Sequence, residues 1–186
     1  MLYEFSEGHY DFSEGFARLR ADQQGQAEHA PFIQQSHEFN MKLTGTNARD
    51  YYSNPEALVH GACRAALEMG FDLPDLCWDA YNIEAEALGA KVVMFDDLCP
   101  ALDNLDPIVT SEKDLARLKS PDPARHGRMP FVFESQALYQ ELTGGTISQT
   151  AAIYGAIAVG FSVAQFLVAP LMGSLSDRFG SPCSRP

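Results

Sequence analysis

The chain has 186 residues, with 25 Asp and Glu against 13 Lys and Arg, so its formal net charge is −12. This acid excess excludes a nucleic-acid binder, which needs a basic face for the phosphates, and argues against adsorption to anionic lipid. Intrinsic disorder is also excluded, because 46% hydrophobic and 11% aromatic residues can bury enough surface to offset the entropy of ordering the chain.

The charge is unevenly distributed along the chain. The 35 positions of residues 142–176 carry no charged side chain, although the chain as a whole is strongly acidic. This contrast predicts two parts, an acidic globular domain over residues 1–145 and an apolar tail over residues 146–186.

Two further features indicate the cellular compartment. The first residues, MLYEFSEGHYDFSEGF, include four acids and no long apolar stretch, so no secretory signal is expected. The cysteines form no C-x-x-C pair, which is typical of reduced thiols in a cytoplasmic protein. These cysteines are Cys63, Cys77, Cys99 and Cys183. We therefore expect the domain to be cytoplasmic.

The first half of the domain alternates helix and strand signals. Ser13 is placed to cap a short helix, and the apolar run at residues 31–33 predicts a short strand. The next helix has the clearest start, because Asn54 provides a polar cap and Pro55 fits the first turn. Apolar residues follow at helical spacing until Gly70, which is expected to end this helix.

The second half of the domain continues the alternation. A buried strand is predicted over residues 76–78, a helix over residues 80–88, and a β-branched strand over residues 91–95. Ser111 opens a helix through a capping-box pattern, and residues 131–142 predict the last helix. This order predicts βαβ units and a parallel sheet, so the expected fold class is α/β.

Four ordered blocks of sequence resemble one enzyme superfamily. They are PFIQQSHEF, YYSNPEALVHGACRAALEMGFD, CWDAYNIEAEALGAKVVMFDD and SEKDLARLKSPDPARHGRMPFVFESQALYQELTGG. Residues 28–145, which contain them, resemble the uroporphyrinogen decarboxylase superfamily, which includes the methylcobalamin:coenzyme M-type methyltransferases. The resemblance implies a (β/α)₈ TIM barrel with its pocket at the carboxyl ends of the strands. Such a barrel needs at least about 200 residues, so we expect its N-terminal portion only, followed by an apolar helix.

The resemblance also implies site residues. Asp79 falls where the decarboxylases place the aspartate that meets the pyrrole NH groups, so it is the expected catalytic residue. A carboxylate there accepts NH bonds and stabilises developing positive charge. The alternative is that Asp79 only caps the helix that follows it. His37, Tyr81 and Asn82 are the expected substrate-binding residues.

The chain departs from the decarboxylase pattern at two positions. The decarboxylases carry two arginines after the first strand, which hold substrate carboxylates, and here Ser36 and Asn40 occupy the equivalent positions. Lys42 is close by but does not replace either arginine. A highly anionic tetrapyrrole would lose its planar, bidentate partners, so this departure favours the methyltransferase type.

Cofactors and partners follow from the resemblance alone. In the methyltransferase type, zinc activates a thiol and a methylcorrinoid, which a separate corrinoid protein can carry, is the methyl donor. The expected substrate is a tetrapyrrole or a methyl-accepting thiol. The zinc ligands lie in the second half of the barrel, so no metal ligand is expected within this sequence, and the chain alone is expected to be inactive. A half-barrel with open sheet edges is also expected to oligomerise.

The pair His37 and Glu38 and the residue Cys99 each have two possible interpretations. His37 and Glu38 either contact substrate or metal at the first strand mouth or form an ordinary pair at a helix start. Cys99 either lines the mouth of the barrel or is an ordinary loop cysteine.

The apolar tail also has two interpretations. Its residues could form the third barrel strand and the helix behind it. The stronger resemblance is to the second transmembrane helix of a major facilitator superfamily transporter, because GSLSDRFG matches that family's loop motif. Residues 152–174 would form a helix of about 35 Å, enough to span a bilayer, so membrane association is expected through them. The sequence after that motif departs from the transporter pattern, which suggests a chimeric gene and a non-catalytic remnant as the alternative function.

Overall fold

Helices dominate the part of the chain that the computed structural model describes, which comprises residues 9–76, 79 and 82–144. The helices are α1 Ser13–Gln23, α2 His37–Thr44, α3 Ala48–Tyr51, α4 Pro55–Met69, α5 Asn82–Ala87, α6 Glu112–Leu115 and α7 Met129–Thr143. The strands are β1 Val92–Val93 and β2 Ala101–Leu102, which lie between α5 and α6. The chain divides into two units, Met1–Gly145 and Thr146–Pro186, and only the first contains described residues.

Helix α4 forms the centre of the described core, and its predicted ends are confirmed. The side chain of Asn54 accepts a hydrogen bond from the backbone of Glu56 at 3.0 Å, and Pro55 occupies the first turn. Gly70 ends the helix in the left-handed conformation, with φ +71°. The helix contacts α2, α3 and α7. Its fully buried residues include Leu58, Val59, Cys63 and Ala66.

The segment before α1 is hydrogen-bonded to the last helix, α7, and to the central helix α4. The backbone N–H of Tyr10 donates to the carbonyl of Leu142 at 2.7 Å, and the Tyr10 hydroxyl lies 2.7 Å from Nδ1 of His60 on α4. Burial raises the pKa of Tyr10 to about 12 and lowers that of His60. These bonds join the beginning and the end of the unit to its central helix.

The predicted helices are present, with small differences at their starts. Ser13 was expected to cap α1 but is its first helical residue, and Phe12 occupies the cap position without a side-chain capping bond. The backbone N–H of Ser13 donates instead to the Asp11 carboxylate at 2.9 Å. Helix α6 begins after Ser111 but stops at Leu115, whose side chain is exposed. A four-residue helix with no buried residue gains too little from packing to extend further.

The predicted parallel sheet is reduced to one bridge among the described residues. Ile33, within the first expected strand, pairs in parallel with Leu73, which lies just before the second expected strand at residues 76–78. Of the second strand, Leu76 is buried, whereas Cys77 and Trp78 lie outside the described residues.

The strand β1 was expected in a parallel sheet, and this prediction is wrong for its pairing with β2. Val92 pairs with Leu102 and Val93 with Ala101, so β1 and β2 form an antiparallel hairpin. The seven residues 94–100 between them allow this turn but are too few for a parallel crossover, which needs a dozen or more. An ion pair between Lys91 and Asp103 at 2.9 Å closes the open end of the hairpin. The observed architecture is a helix-rich mixture of α and β elements, consistent with a partial barrel.

The expected membrane-spanning segment, residues 152–174, lies outside the described residues. Within the ranges that are described, none of the helices combines the length and the apolar character that crossing a bilayer requires.

Substitution of Gly15 by alanine tests the packing of α1. An added Cβ would lie 1.8 Å from the backbone carbonyl oxygen of Asp72, so α1 would have to move away from that segment. We expect Gly15→Ala to lower the free energy of unfolding by about 1–3 kcal/mol, measured by urea denaturation. Ser13→Ala, on an exposed position of the same helix, should change it by less than about 0.5 kcal/mol. Equal stability of the Gly15 variant and the wild type would contradict this packing.

Candidate functional site

Asp79 lies in an unusual backbone conformation at the centre of the candidate site. Its φ is +136°, a value that residues other than glycine rarely adopt, and the residue is only 7% exposed. Such a conformation costs about 1–3 kcal/mol and persists only where the surroundings enforce it. The surroundings of Asp79 therefore hold its carboxylate in a defined place.

Two side chains hold this carboxylate. Nη2 of Arg128 donates to Oδ2 at 2.6 Å, and Nδ2 of Asn82 donates to Oδ1 at 2.5 Å. Both Asp79 and Arg128 are largely buried, with side chains 3% and 12% exposed. Asn82 is the first residue of α5 and also donates to the carbonyl of Pro100 at 3.0 Å. The carboxylate is therefore engaged by side chains from two separate elements.

Arg128 connects three parts of the chain. Its Nε donates to Oε2 of Glu86 at 2.6 Å, and its Nη1 donates to the backbone carbonyl of Tyr52 at 3.1 Å. Together with the bond to Asp79, these contacts use three of the five N–H groups of the guanidinium. Arg128 immediately precedes α7, so this residue ties α5 and the end of α3 to the start of α7.

Burial raises the pKa of Asp79 above its ordinary value. The bonds from Arg128 and Asn82 oppose this shift because they stabilise the charged form, and the negative charge of Glu86 adds to it. The shift moves the carboxyl toward the pH range in which a carboxylic acid can accept and return a proton.

A second polar contact lies next to this group. Sγ of Cys99 lies 2.9 Å from the hydroxyl of Tyr52 and donates to Oε1 of Glu38 at 3.1 Å. Cys99 precedes Pro100, whose carbonyl accepts from Asn82, so the contact adjoins the group around Asp79. These contacts favour the interpretation of Cys99 as a residue of the site over its interpretation as an ordinary loop cysteine.

The charges of this second contact follow from its geometry. Burial raises the pKa of the Cys99 thiol, the Tyr52 hydroxyl opposes that shift, and Glu38 increases it. Burial likewise raises the pKa of the Tyr52 phenol. The bond from Cys99 lowers the pKa of Glu38. The thiol and phenol are therefore held in their neutral forms beside an ionised Glu38.

The other predicted site residues differ in how the structure places them. His37 begins α2, with its ring centroid 6.4 Å from that of Tyr52. Among the described residues, its Nδ1 is a buried atom without a hydrogen-bond partner. Asn82 contacts Asp79 directly, as given above, whereas Tyr81 lies outside the described residues. Direct contact of these residues with substrate stays a prediction.

Ser36 and Asn40, which the resemblance matches to the two arginines of the decarboxylases, contact each other. Ser36 precedes α2, and its hydroxyl donates to Oδ1 of Asn40 at 2.8 Å. Nδ2 of Asn40 donates to the hydroxyl of Tyr51 at 3.0 Å, and Asn40 is only 3% exposed. Lys42 is exposed on α2. The polar groups of Ser36 and Asn40 are thus used within the fold.

Sequence reasoning missed three residues of the site, namely Arg128, Glu86 and Tyr52. Arg128 lies 49 positions after Asp79, and no local pattern connects them. Glu86 lies on α5 at a helical spacing of four from Asn82, which could have indicated a shared face.

The described residues do not provide a zinc site. Among them, no group of three or more His, Cys, Asp or Glu side chains could hold a metal ion. The resemblance places the zinc ligands in the second half of the barrel, so we assign no step to a metal among the residues described here.

Comparison with known proteins identifies one family. The family model of uroporphyrinogen decarboxylase (URO-D) matches residues 18–172, which is well over half of the chain. Neither the search of curated proteins nor the search of solved structures returned a match.

Removal of Arg128 tests the buried ion pairs. Arg128→Met would leave Asp79 buried without its cation, so we expect the free energy of unfolding to fall by about 3–5 kcal/mol in chemical denaturation. Arg125→Met is the matched control, because the Arg125 side chain is 83% exposed in its pair with Asp122. This control should lose no more than about 1 kcal/mol. Equal losses in the two variants would contradict a special role for Arg128.

Proposed function

The chain belongs to the uroporphyrinogen decarboxylase family, and from this premise we propose that it acts as a methyltransferase of that family. Its substrate is a methyl-accepting thiol rather than a polycarboxylate tetrapyrrole. The observation that carries the proposal is the hydrogen bond between Ser36 and Asn40. The resemblance matches these two residues to the substrate-binding arginines of the decarboxylases.

The bonding of this pair supports the proposal. A carboxylate substrate is best held by planar, charged donors, and a serine hydroxyl and an asparagine amide provide neither the charge nor the fork of an arginine. Both side chains are also bonded to each other, and Asn40 is bonded to Tyr51, so binding a carboxylate would break bonds that stabilise α2.

The charge of the candidate site supports the same conclusion. Glu38, Asp79 and Glu86 are joined by the contacts described above, and Arg128 is the cation that these contacts include. Arg128 already binds two carboxylates of the protein. An anionic substrate would therefore meet an excess of negative charge and a guanidinium that is already occupied.

The residues of this chain have separate roles in the proposed reaction. Asp79, with its raised pKa, accepts a hydrogen bond or a proton from the substrate. Arg128 and Asn82 keep the Asp79 carboxylate in place, since each donates to one of its oxygens. His37 offers its buried Nδ1 as a further polar contact for substrate.

The methyl donor in this proposal is a methylcorrinoid, carried by a separate corrinoid protein or supplied free. The residues described here contribute the part of the pocket around Asp79.

Methyl transfer from methylcobalamin to 2-mercaptoethanol, with zinc present, tests the proposal on the full chain. We expect formation of the methyl thioether, followed by mass spectrometry, and a loss of about 100-fold or more in Asp79→Asn, because the carboxylate is replaced by a neutral amide. Asp122→Asn changes an exposed aspartate and should leave the rate unchanged.

Two outcomes would contradict the proposal. Absence of methyl transfer by the wild type would contradict the proposal and would agree with the expectation, drawn from the resemblance, that the chain alone is inactive. Release of CO₂ from uroporphyrinogen, or saturable binding of uroporphyrin in a fluorescence titration, would assign the chain to the decarboxylase type.

For the apolar tail we propose the role of a barrel strand and helix. The family match continues to residue 172 and so includes most of residues 146–186, which favours this assignment over the transporter resemblance. The competing function is a non-catalytic chimeric remnant with a membrane-inserting helix. It rests on the GSLSDRFG motif, the sequence that follows it and the uncharged residues 142–176.

Cell fractionation distinguishes the two assignments of the tail. We expect the full chain to stay in the supernatant after ultracentrifugation without detergent, because a barrel helix buries its apolar face within the protein. A chain deleted after residue 145 provides the comparison. Recovery of the full chain, but not of the shortened one, only after detergent extraction would support the membrane-inserting remnant.

A further inference from the structure

The two polar contacts of the site form one closed ring of bonds. From Cys99 the ring passes along the peptide bond to Pro100, whose carbonyl accepts from Asn82. Asn82 donates to Asp79, and Arg128 donates to the other oxygen of Asp79. Arg128 also donates to the backbone carbonyl of Tyr52, and the Tyr52 hydroxyl contacts Sγ of Cys99, which completes the ring. We propose that Cys99 is a positioning residue for Asp79, because its thiol closes this ring.

The direction of each bond at Cys99 is fixed by its partners. An ionised carboxylate has no hydrogen to donate, so the single hydrogen of the thiol goes to Glu38. Sγ can then only accept at its other contact, and the Tyr52 hydroxyl is the donor there. Cys99 therefore needs both a hydrogen and a lone pair, which alanine lacks and serine provides.

The ring acts on Asp79 through Asn82. The amide nitrogen of Asn82 carries two hydrogens, one for Asp79 and one for the Pro100 carbonyl. The position of that carbonyl depends on its neighbour Cys99, which Tyr52 and Glu38 hold from two sides. Release of Cys99 would leave the adjoining Pro100 carbonyl less firmly placed and would weaken the bond from Asn82 to Asp79.

The inference extends the proposed function, since it rests on Asp79 as the working carboxylate, and it predicts a measurable shift. The bond from Asn82 lowers the pKa of Asp79 against the larger effect of burial. Loss of that bond leaves burial less opposed, so the pKa of Asp79 rises further. The charge of Asp79 also raises the pKa of Cys99, so the thiol stays neutral and its effect on Asp79 is carried by the hydrogen bonds of the ring.

The experiment is a ¹³C NMR titration of the side-chain carboxyl groups of the full chain. The resonance of Asp79 is identified by its loss in Asp79→Asn. We expect its titration midpoint to lie at higher pH in Cys99→Ala than in the wild type, and to return toward the wild-type value in Cys99→Ser. Leu98→Ala, an exposed neighbour on the same segment, should leave the midpoint unchanged.

A second variant removes the same bond from the other side. Tyr52→Phe deletes the hydroxyl that contacts Cys99 but keeps the aromatic ring and the backbone carbonyl that binds Arg128. This variant should therefore raise the titration midpoint of Asp79 in the same direction. A midpoint that is unchanged or lower in both Cys99→Ala and Tyr52→Phe would overturn the proposal. The titration needs no substrate, so failure of methyl transfer and failure of the ring are separate results.

Discussion

The buried ion pair between Asp79 and Arg128 is the interaction on which the candidate site depends. A carboxylate that is almost fully buried is tolerated only if charged or polar donors surround it, and here a guanidinium and an amide supply those donors at 2.6 and 2.5 Å. Because Arg128 also binds Glu86 and the Tyr52 carbonyl, the same cation orients three separate segments. The rare backbone conformation of Asp79 is held by this arrangement.

The helices supply the rigid frame for that pair. Helix α4 contacts α2, α3 and α7, and these elements carry or adjoin Glu38, Tyr52 and Arg128. Side chains from loops and helix ends meet at one place because the helices behind them are packed together. The family match identifies the family of the chain, and the fold alone does not give this meeting point a chemical role.

Local signals in the sequence predicted five of the seven helices in the described residues, but not α3 or the pairing of the strands. The start and end of α4 depend on Asn54, Pro55 and Gly70, each of which acts within its own turn. The pairing of β1 with β2 depends on two segments and on the length of chain between them, so the valine run alone could not determine it. Arg128 escaped prediction because its partners are far away in sequence.

The bond between the Tyr10 backbone and the Leu142 carbonyl has a consequence for how the domain could be rearranged. Because the chain enters and leaves the described unit at neighbouring points, only 2.7 Å apart across that bond, a short flexible linker could join these ends. New ends could then be opened in an exposed loop, such as the one that holds the almost fully exposed Leu105. Because residues 10 and 142 are adjacent in space, a circularly permuted chain of the described unit could keep the same helices packed in its core.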